Sequence, residues 1–262
     1  MATDALILLP PSEGKAAGGA GPPWSPGTMA VDLDSRRAQV QRALRGAMRA
    51  NATRRGALLG VKGEALAAAT AANRVIDAAP TLPAIERYTG VLYDELDAGT
   101  LAAAARRRLD ARVLIFSGLW GVVAPTDPIP DYKLKMGASL GRLGRLSTWW
   151  RPAIDEAVEG RVGAAGLVWN LLPNEHDAAW TAPPGAAVCT VRFADRRDDG
   201  SLVTVSHWNK LLKGALVRHL VTEEVPCPGD LADWEHPLDY RFDPDESTVR
   251  EGHHSITLVR GG

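Results

Sequence analysis

Three short apolar runs, Ala5–Leu9, Val113–Phe116 and Leu167–Leu172, punctuate the chain, and most of the segments between them carry helical spacing. The first stops at Pro10-Pro11, the second at a Gly-containing turn and the third at Pro173. Runs of this length bounded by breakers read as buried strands. Between them, Val40, Leu44 and Met48 mark a helix over Asp34–Met48, with Asp34 or Ser35 as its N-cap. Leu58–Ala79 and Asp94–Arg108 are expected to be helical, with one further turn over Leu82–Tyr88. Trp149–Val158 reads as a helix entered through Pro152. Trp208–Val221 is amphipathic, with Leu211, Leu212, Leu216, Val217 and Leu220 on its apolar side. Asp198-Asp199-Gly200 joins Val188–Phe193 to Leu202–His207 as a hairpin, and Ser255–Val259 is a last strand. Ser12–Gly27, Ala124–Pro130 and Pro226–Pro244 are loops. This order predicts an α/β (α+β) fold: a single domain over 1–262 with a mixed β-sheet flanked by helices.

With 262 residues, 45% of them hydrophobic, the chain can bury a core without staples. Its two cysteines, Cys189 and Cys227, exclude a disulfide scaffold and a multi-cysteine zinc module, and favour a reducing compartment. The apolar run near the start is too short for a signal sequence and lacks a basic flank. No stretch approaches the roughly 18 apolar residues of a membrane span. A cytoplasmic location with no membrane partner, no metal and no cofactor is therefore expected.

The net charge of −1 is unevenly spread. Residues 221–262 hold ten acids and three bases, or −7, which leaves +6 on the other 220 residues. This segment is expected to pack on the domain or trail from it. The body then carries either a cationic face or an ordinary solvated surface. Only six of the thirty bases are lysine, and five of those six fall in three segments: Lys15; Lys133 and Lys135; Lys210 and Lys213. In an arginine-rich chain, such lysines mark places where an ammonium is specifically wanted.

The first segment, LLPPSEGK at Leu8–Lys15, follows a strand with a hydroxyl (Ser12), a carboxylate and an ammonium. It has the polar content of an anion-binding loop without being a Walker A sequence. In the second, Asp131, Lys133 and Lys135 alternate with Tyr132, Leu134 and Met136, as in a half-buried strand. Its lysines, roughly 7 Å apart by strand rise, grip phosphate or merely guard an exposed edge. In the third, His207, Lys210 and Lys213 open a helix at intervals of three, with Arg218 further on. Lysine in a first turn opposes the helix dipole and fits an anionic partner; a solvated face is the alternative. Ser117 follows a strand, but no G-x-S-x-G elbow or Asp/His pair supports a nucleophile. Asn170, Glu175 and His176 close the Leu167–Leu172 run, placed for acid–base work or as plain loop polars.

Taken in order, LLPPSEGK, YTGVLYDEL at Tyr88–Leu96, SGLWGVVAPTDPIPDYKLKMG at Ser117–Gly137 and SHWNKLLKG at Ser206–Gly214 resemble the YaaA family of peroxide-stress proteins. The resemblance runs collinearly from the first strand to about Leu220. It implies a single-domain mixed α/β fold with a cationic cleft and a role in limiting oxidative DNA damage and free iron under hydrogen peroxide. It also implies binding of double-stranded or branched DNA. Lys15, Lys133, Lys135, Lys210, Lys213 and Arg218 would line the cleft. The sequence departs from related chains after the Asn170 strand, where it reads Asn174-Glu175-His176.

Two functions remain open at this point. One is binding of DNA or another phosphate-bearing ligand through Ser12, Lys15, Lys133, Lys135, Asn170, Lys210, Lys213 and Arg218. The other is a cofactor-free enzyme acting on a nucleotide or nucleobase derivative. In that case Lys15 and Lys210 hold phosphate, and Glu175, Asp131, Ser117 and His207 are the candidate catalytic groups. An interaction protein using the acidic segment is a third class with less behind it.

Overall fold

The computed structural model describes residues 5–162, 166–205, 209–225, 227–234, 236–250 and 252–261. The apolar run at the start forms β1 (Leu6–Leu9), buried along its whole length. Three helices follow: α1 (Asp34–Ala47), α2 (Ala52–Leu59) and α3 (Gly63–Arg74). Asp34 lies inside the first turn of α1 rather than at its N-cap, which is Leu33. Its carboxylate accepts from the Gly27 amide and pairs with Arg37. The expected Leu58–Ala79 helix is divided because Gly60 adopts a left-handed conformation (φ 67°) that closes α2.

β2 (Leu82–Pro83), α4 (Ala84–Arg87), α5 (Val91–Leu96) and α6 (Ala103–Arg112) come next. The expected Asp94–Arg108 helix is interrupted at Asp97, which is left-handed at φ 43°. β3 (Val113–Ser117) then turns back into β4 (Gly121–Val123), a strand where only a turn was expected. β5 (Pro128–Ile129) pairs with β2 inside the proline-rich loop. α7 (Leu146–Val162) begins before Trp149 and carries Pro152 in its interior, not at its entry.

The second half contributes β6 (Leu167–Asn170), α8 (Asn174–Asp177), β7 (Ala187–Arg196), β8 (Leu202–Thr204) and α9 (Asn209–Thr222). The Asp198–Gly200 hairpin joins β7 to β8 as expected. β9 (Arg241–Phe242), β10 (Thr248–Arg250) and β11 (His253–Arg260) end the chain. The acidic segment therefore enters the sheet: β11 runs parallel to β7 from His253↔Val188 to Arg260↔Asp195. His253 and His254, ahead of the expected Ser255–Val259 strand, already belong to β11. Tyr240 is buried edge-on against Phe193 at 5.6 Å and donates to Asp195 at 2.7 Å.

The main sheet has the order β10-β11-β7-β6-β1-β3-β4, with β8 beside β7 and β9 beside β11. Its centre, β11-β7-β6-β1-β3, is parallel, and helices flank the sheet. This is a mixed α/β fold. β1 pairs with β6 (Leu8↔Asn170) on one side and β3 (Leu9↔Ile115) on the other. The chain leaves β1 toward β3 and leaves β6 toward β7, so their connections diverge. Open α/β sheets place ligands in the crevice outside the carboxyl ends of such a strand pair. No helix among the described residues is long and apolar enough to cross a membrane.

Candidate functional site: a lysine cleft at the carboxyl ends of β1 and β6

Three stretches meet at that crevice. The loop after β1 brings Ser12, Glu13 and Lys15, and α8 brings Glu175 and His176. An extended segment brings Tyr132, Lys133, Leu134 and Lys135. Together with Pro11 these side chains line a small cavity of about 100 Å³. At its back, Ser117 at the end of β3 bonds Tyr132.

The Asp131–Met136 segment has the side-chain alternation of a strand without being one. Tyr132, Leu134 and Met136 are buried, and Asp131 is exposed. Instead of a neighbouring strand, a side chain satisfies its backbone. The buried Asn73 amide accepts from the Lys133 N–H at 2.9 Å and donates to the Lys133 carbonyl at 2.8 Å. Gly118 lets the segment pass close, since a Cβ there would sit 2.6 Å from the Leu134 carbonyl oxygen. The fully buried Arg87 ties the β1 loop down by donating to the carbonyls of Ala16, Gly18, Pro80 and Ile129.

Lys133 and Lys135 converge on a single carboxylate. Glu13 receives Lys133 Nζ at 2.9 Å and Lys135 Nζ at 3.1 Å. These two lysines hold the Glu13 carboxyl down at about 2. Lys15 is oriented differently. Its Nζ donates to the Ser12 carbonyl at 3.1 Å and sits 4.4 Å from the Tyr132 ring centre and 5.5 Å from that of Tyr88. Burial lowers its ammonium to about 8, against an opposing pull from the Asp131 carboxylate. Tyr132 links two buried hydroxyls, Tyr88 Oη at 2.7 Å and Ser117 Oγ at 2.7 Å, and Ser117 Oγ also accepts from the Trp120 amide. Ser117 is thus fully buried and already bonded twice.

Glu175 accepts from the Gly137 amide at 2.9 Å, which ties α8 to the extended segment. Burial pushes the His176 imidazole down to about 4, so it is neutral at pH 7, and its Nδ1 is buried without a partner in the structure. Asn170 holds Asp177 at 2.7 Å and accepts from the Leu172 amide.

The structure brings Ser12, Lys15, Lys133, Lys135 and Glu175 together, with Asn170 and Asp131 alongside. It does not place every expected lysine there. Lys213 is spent on the Leu171 carbonyl at 2.9 Å, just past β6, and Lys210 stands exposed on α9. Arg218 caps the end of α5, donating to Leu96, Asp97 and Thr100. His207 lies outside the described residues. Sequence reasoning passed over Glu13, Tyr88 and Tyr132 as site residues. Only Glu13 carried a usable signal, as a lone carboxylate between a strand end and a lysine. Among the described residues, no three His, Cys, Asp or Glu side chains group as a metal site.

Comparison with known proteins agrees with the motif order. The family model described as peroxide stress protein YaaA matches residues 5–246. A UPF0246 protein of Streptomyces coelicolor is 39% identical over 91% of this chain and 92% of its own length. A UPF0246 protein of Corynebacterium glutamicum is 36% identical over 84% and 86%, and one of Corynebacterium efficiens is 38% identical over 87% and 90%. The chain belongs to the YaaA family of peroxide stress proteins.

Proposed function

We propose that the protein binds a phosphate-bearing ligand at the β1–β6 crevice, and that the ligand is a small molecule whose phosphoryl group sits at the cavity while the rest reaches out of it, rather than a duplex. One observation carries this reading: Lys133 and Lys135 reach the same carboxylate at 2.9 and 3.1 Å. Two ammonium groups that meet on one carboxylate are equally placed to meet on one phosphoryl group, which offers more acceptor oxygens and more charge. Glu13 is 66% exposed on a loop and is free to give way. The charge inventory speaks against a polyanion groove. Lys15, Lys133 and Lys135 face Glu13, Asp131 and Glu175, whereas duplex affinity rests on uncompensated cations. Cofactor-free chemistry on the bound ligand is the second reading. It is favoured by the half-buried Lys15 amine and the neutral His176 on the cavity wall. The family is described as one of peroxide stress proteins, and we take peroxide stress as the setting of this binding.

The test is calorimetric titration of inorganic phosphate, AMP and a duplex oligonucleotide into the protein and two variants. Glu13→Gln removes the competing carboxylate and is expected to tighten AMP about tenfold, or 1.4 kcal/mol. Lys133→Ala with Lys135→Ala should abolish AMP binding. If duplex binds with a steep salt dependence while AMP does not bind, the ligand is nucleic acid. If Glu13→Gln leaves every anion affinity unchanged, the cleft is not an anion site.

A further inference from the structure

We propose that Lys15 is a carbonyl-reactive amine that forms an imine with a phosphorylated aldehyde or ketone, the phosphate being held by Lys133 and Lys135. The phosphate half of this inference rests on the function proposed above; the amine half does not.

The geometry of Lys15 differs from that of every other lysine in the cleft. Its side chain lines the cavity together with Lys133, Lys135 and His176. Its Nζ is in no ion pair among the described residues. It bonds one backbone carbonyl, that of Ser12, and otherwise lies against the faces of Tyr132 and Tyr88. A phosphate-gripping lysine needs water or an anion around its charge, as Lys133 and Lys135 have. The ring faces attract the ammonium and hold the nitrogen in place, while the cavity wall keeps it short of solvation, and that shortage of water is what activates a lysine nucleophile.

Burial brings the ammonium to about 8. At pH 7 roughly 10% of such a lysine is free amine, against roughly 0.03% for an unperturbed one. The tyrosine hydroxyl chain fixes the platform: Tyr132 cannot rotate away without breaking its bonds to Tyr88 and Ser117.

In the step itself, the Lys15 nitrogen lone pair attacks the carbonyl carbon, forming a C–N bond and moving the C=O pair onto oxygen. Both hydrogens of the amine leave with that oxygen as one molecule of water, and the C=N bond remains. Nothing is oxidised or reduced. The ligand class follows from the cavity, which has an anion grip on one wall and an amine on another.

Pyridoxal 5′-phosphate and pyridoxal are suitable probes; they differ in the phosphate, and because pyridoxal also closes to an internal hemiacetal, each probe's rate at Lys15 is taken relative to its own rate at the exposed Lys62. The wild-type protein is incubated with each at pH 7, reduced with borohydride and mapped by mass spectrometry. Pyridoxal phosphate is expected to label Lys15 at least tenfold faster than the exposed Lys62 and Lys210, with a pH midpoint near 8. Pyridoxal is expected to label Lys15 at least tenfold more slowly than its phosphate. Lys133→Ala with Lys135→Ala should reduce pyridoxal phosphate to the pyridoxal rate while Lys15 remains the labelled site. If Lys62 and Lys210 are labelled as fast as Lys15, the amine is ordinary and this inference is overturned, whether or not AMP binds. If Lys15 is labelled first but at equal rates by both probes, the reactive amine stands and the phosphate grip falls. Because the readout is the labelled position in the wild-type chain, it does not depend on a Lys15 variant that folds.

Discussion

Asn73→Ala tests how the cleft is held together. The Asn73 amide is fully buried and makes both backbone bonds of Lys133, at 2.9 and 2.8 Å, in a segment with no strand partner. Each such bond is worth about 1 kcal/mol net, and leaving a buried donor or acceptor unmade costs about 1–3 kcal/mol more. Lys133 is only part-buried, so water recovers some of the loss, and the expected destabilisation is about 2–4 kcal/mol. With a urea m-value of about 3 kcal/mol/M, the unfolding midpoint falls by about 1 M. The same substitution frees the segment that aims Lys133 and Lys135, so AMP binding should weaken by about tenfold in protein that is still folded at zero urea. Thr53→Ala, on the exposed side of α2, is the control and should shift neither value. A midpoint within about 0.2 M of wild type would refute the idea that Asn73 substitutes for a strand. A large midpoint shift with unchanged AMP affinity would refute the link between that substitution and the site.

Three further outcomes are expected. Arg87→Lys cannot span the carbonyls of Ala16, Gly18, Pro80 and Ile129 with one ammonium, and thermal unfolding should register a loss of about 2–4 kcal/mol; a loss below 0.5 kcal/mol would show that the loop is held elsewhere. Gly118→Ala puts a methyl 2.6 Å from the Leu134 carbonyl oxygen and should both destabilise the chain and displace Lys135, read as weaker AMP binding in folded protein. On acidification, the buried His236 and the half-buried His176, both neutral and lowered to about 4, cost stability as pH falls from about 6.5 to 4, because the unfolded chain takes the protons first. His236, only 2% exposed, accounts for about 3 kcal/mol of that loss, and His236→Phe should flatten the urea midpoint against pH across this window. Glu13 adds to the same trend at lower pH, its ion pairs stabilising above about 4.5 and fading as pH falls toward 2; an unchanged slope between pH 6.5 and 4 in His236→Phe would reject the assignment to His236.

The parts of the fold that could be read from sequence are those set by local burial. β1, β3 and β6 announce themselves because strands buried on both faces must be apolar, and the β7–β8 hairpin because Asp-Asp-Gly suits its turn. Helix interruptions were missed where one residue takes a positive φ, at Gly60 and Asp97, because spacing is blind to backbone conformation. The Asp131–Met136 alternation was correct about burial and wrong about pairing, since period two reports which side chains face the core and not what satisfies the backbone. Nothing in the sequence near Lys133 reveals that its hydrogen bonds go to a side chain sixty residues earlier. The lysine count behaved in a similar way. Scarcity of lysine picked out Lys15, Lys133 and Lys135, but it also picked out Lys213, which holds the Leu171 carbonyl, and the exposed Lys210. What separates these groups is the counter-charge. Glu13 converts two surface lysines into one convergent grip, and the tyrosines behind Lys15 take its charge out of water. A cation alone is a weak sign of function; the informative unit is the cation with whatever it faces, and that pairing exists only once β1, β3 and β6 have brought their carboxyl ends together.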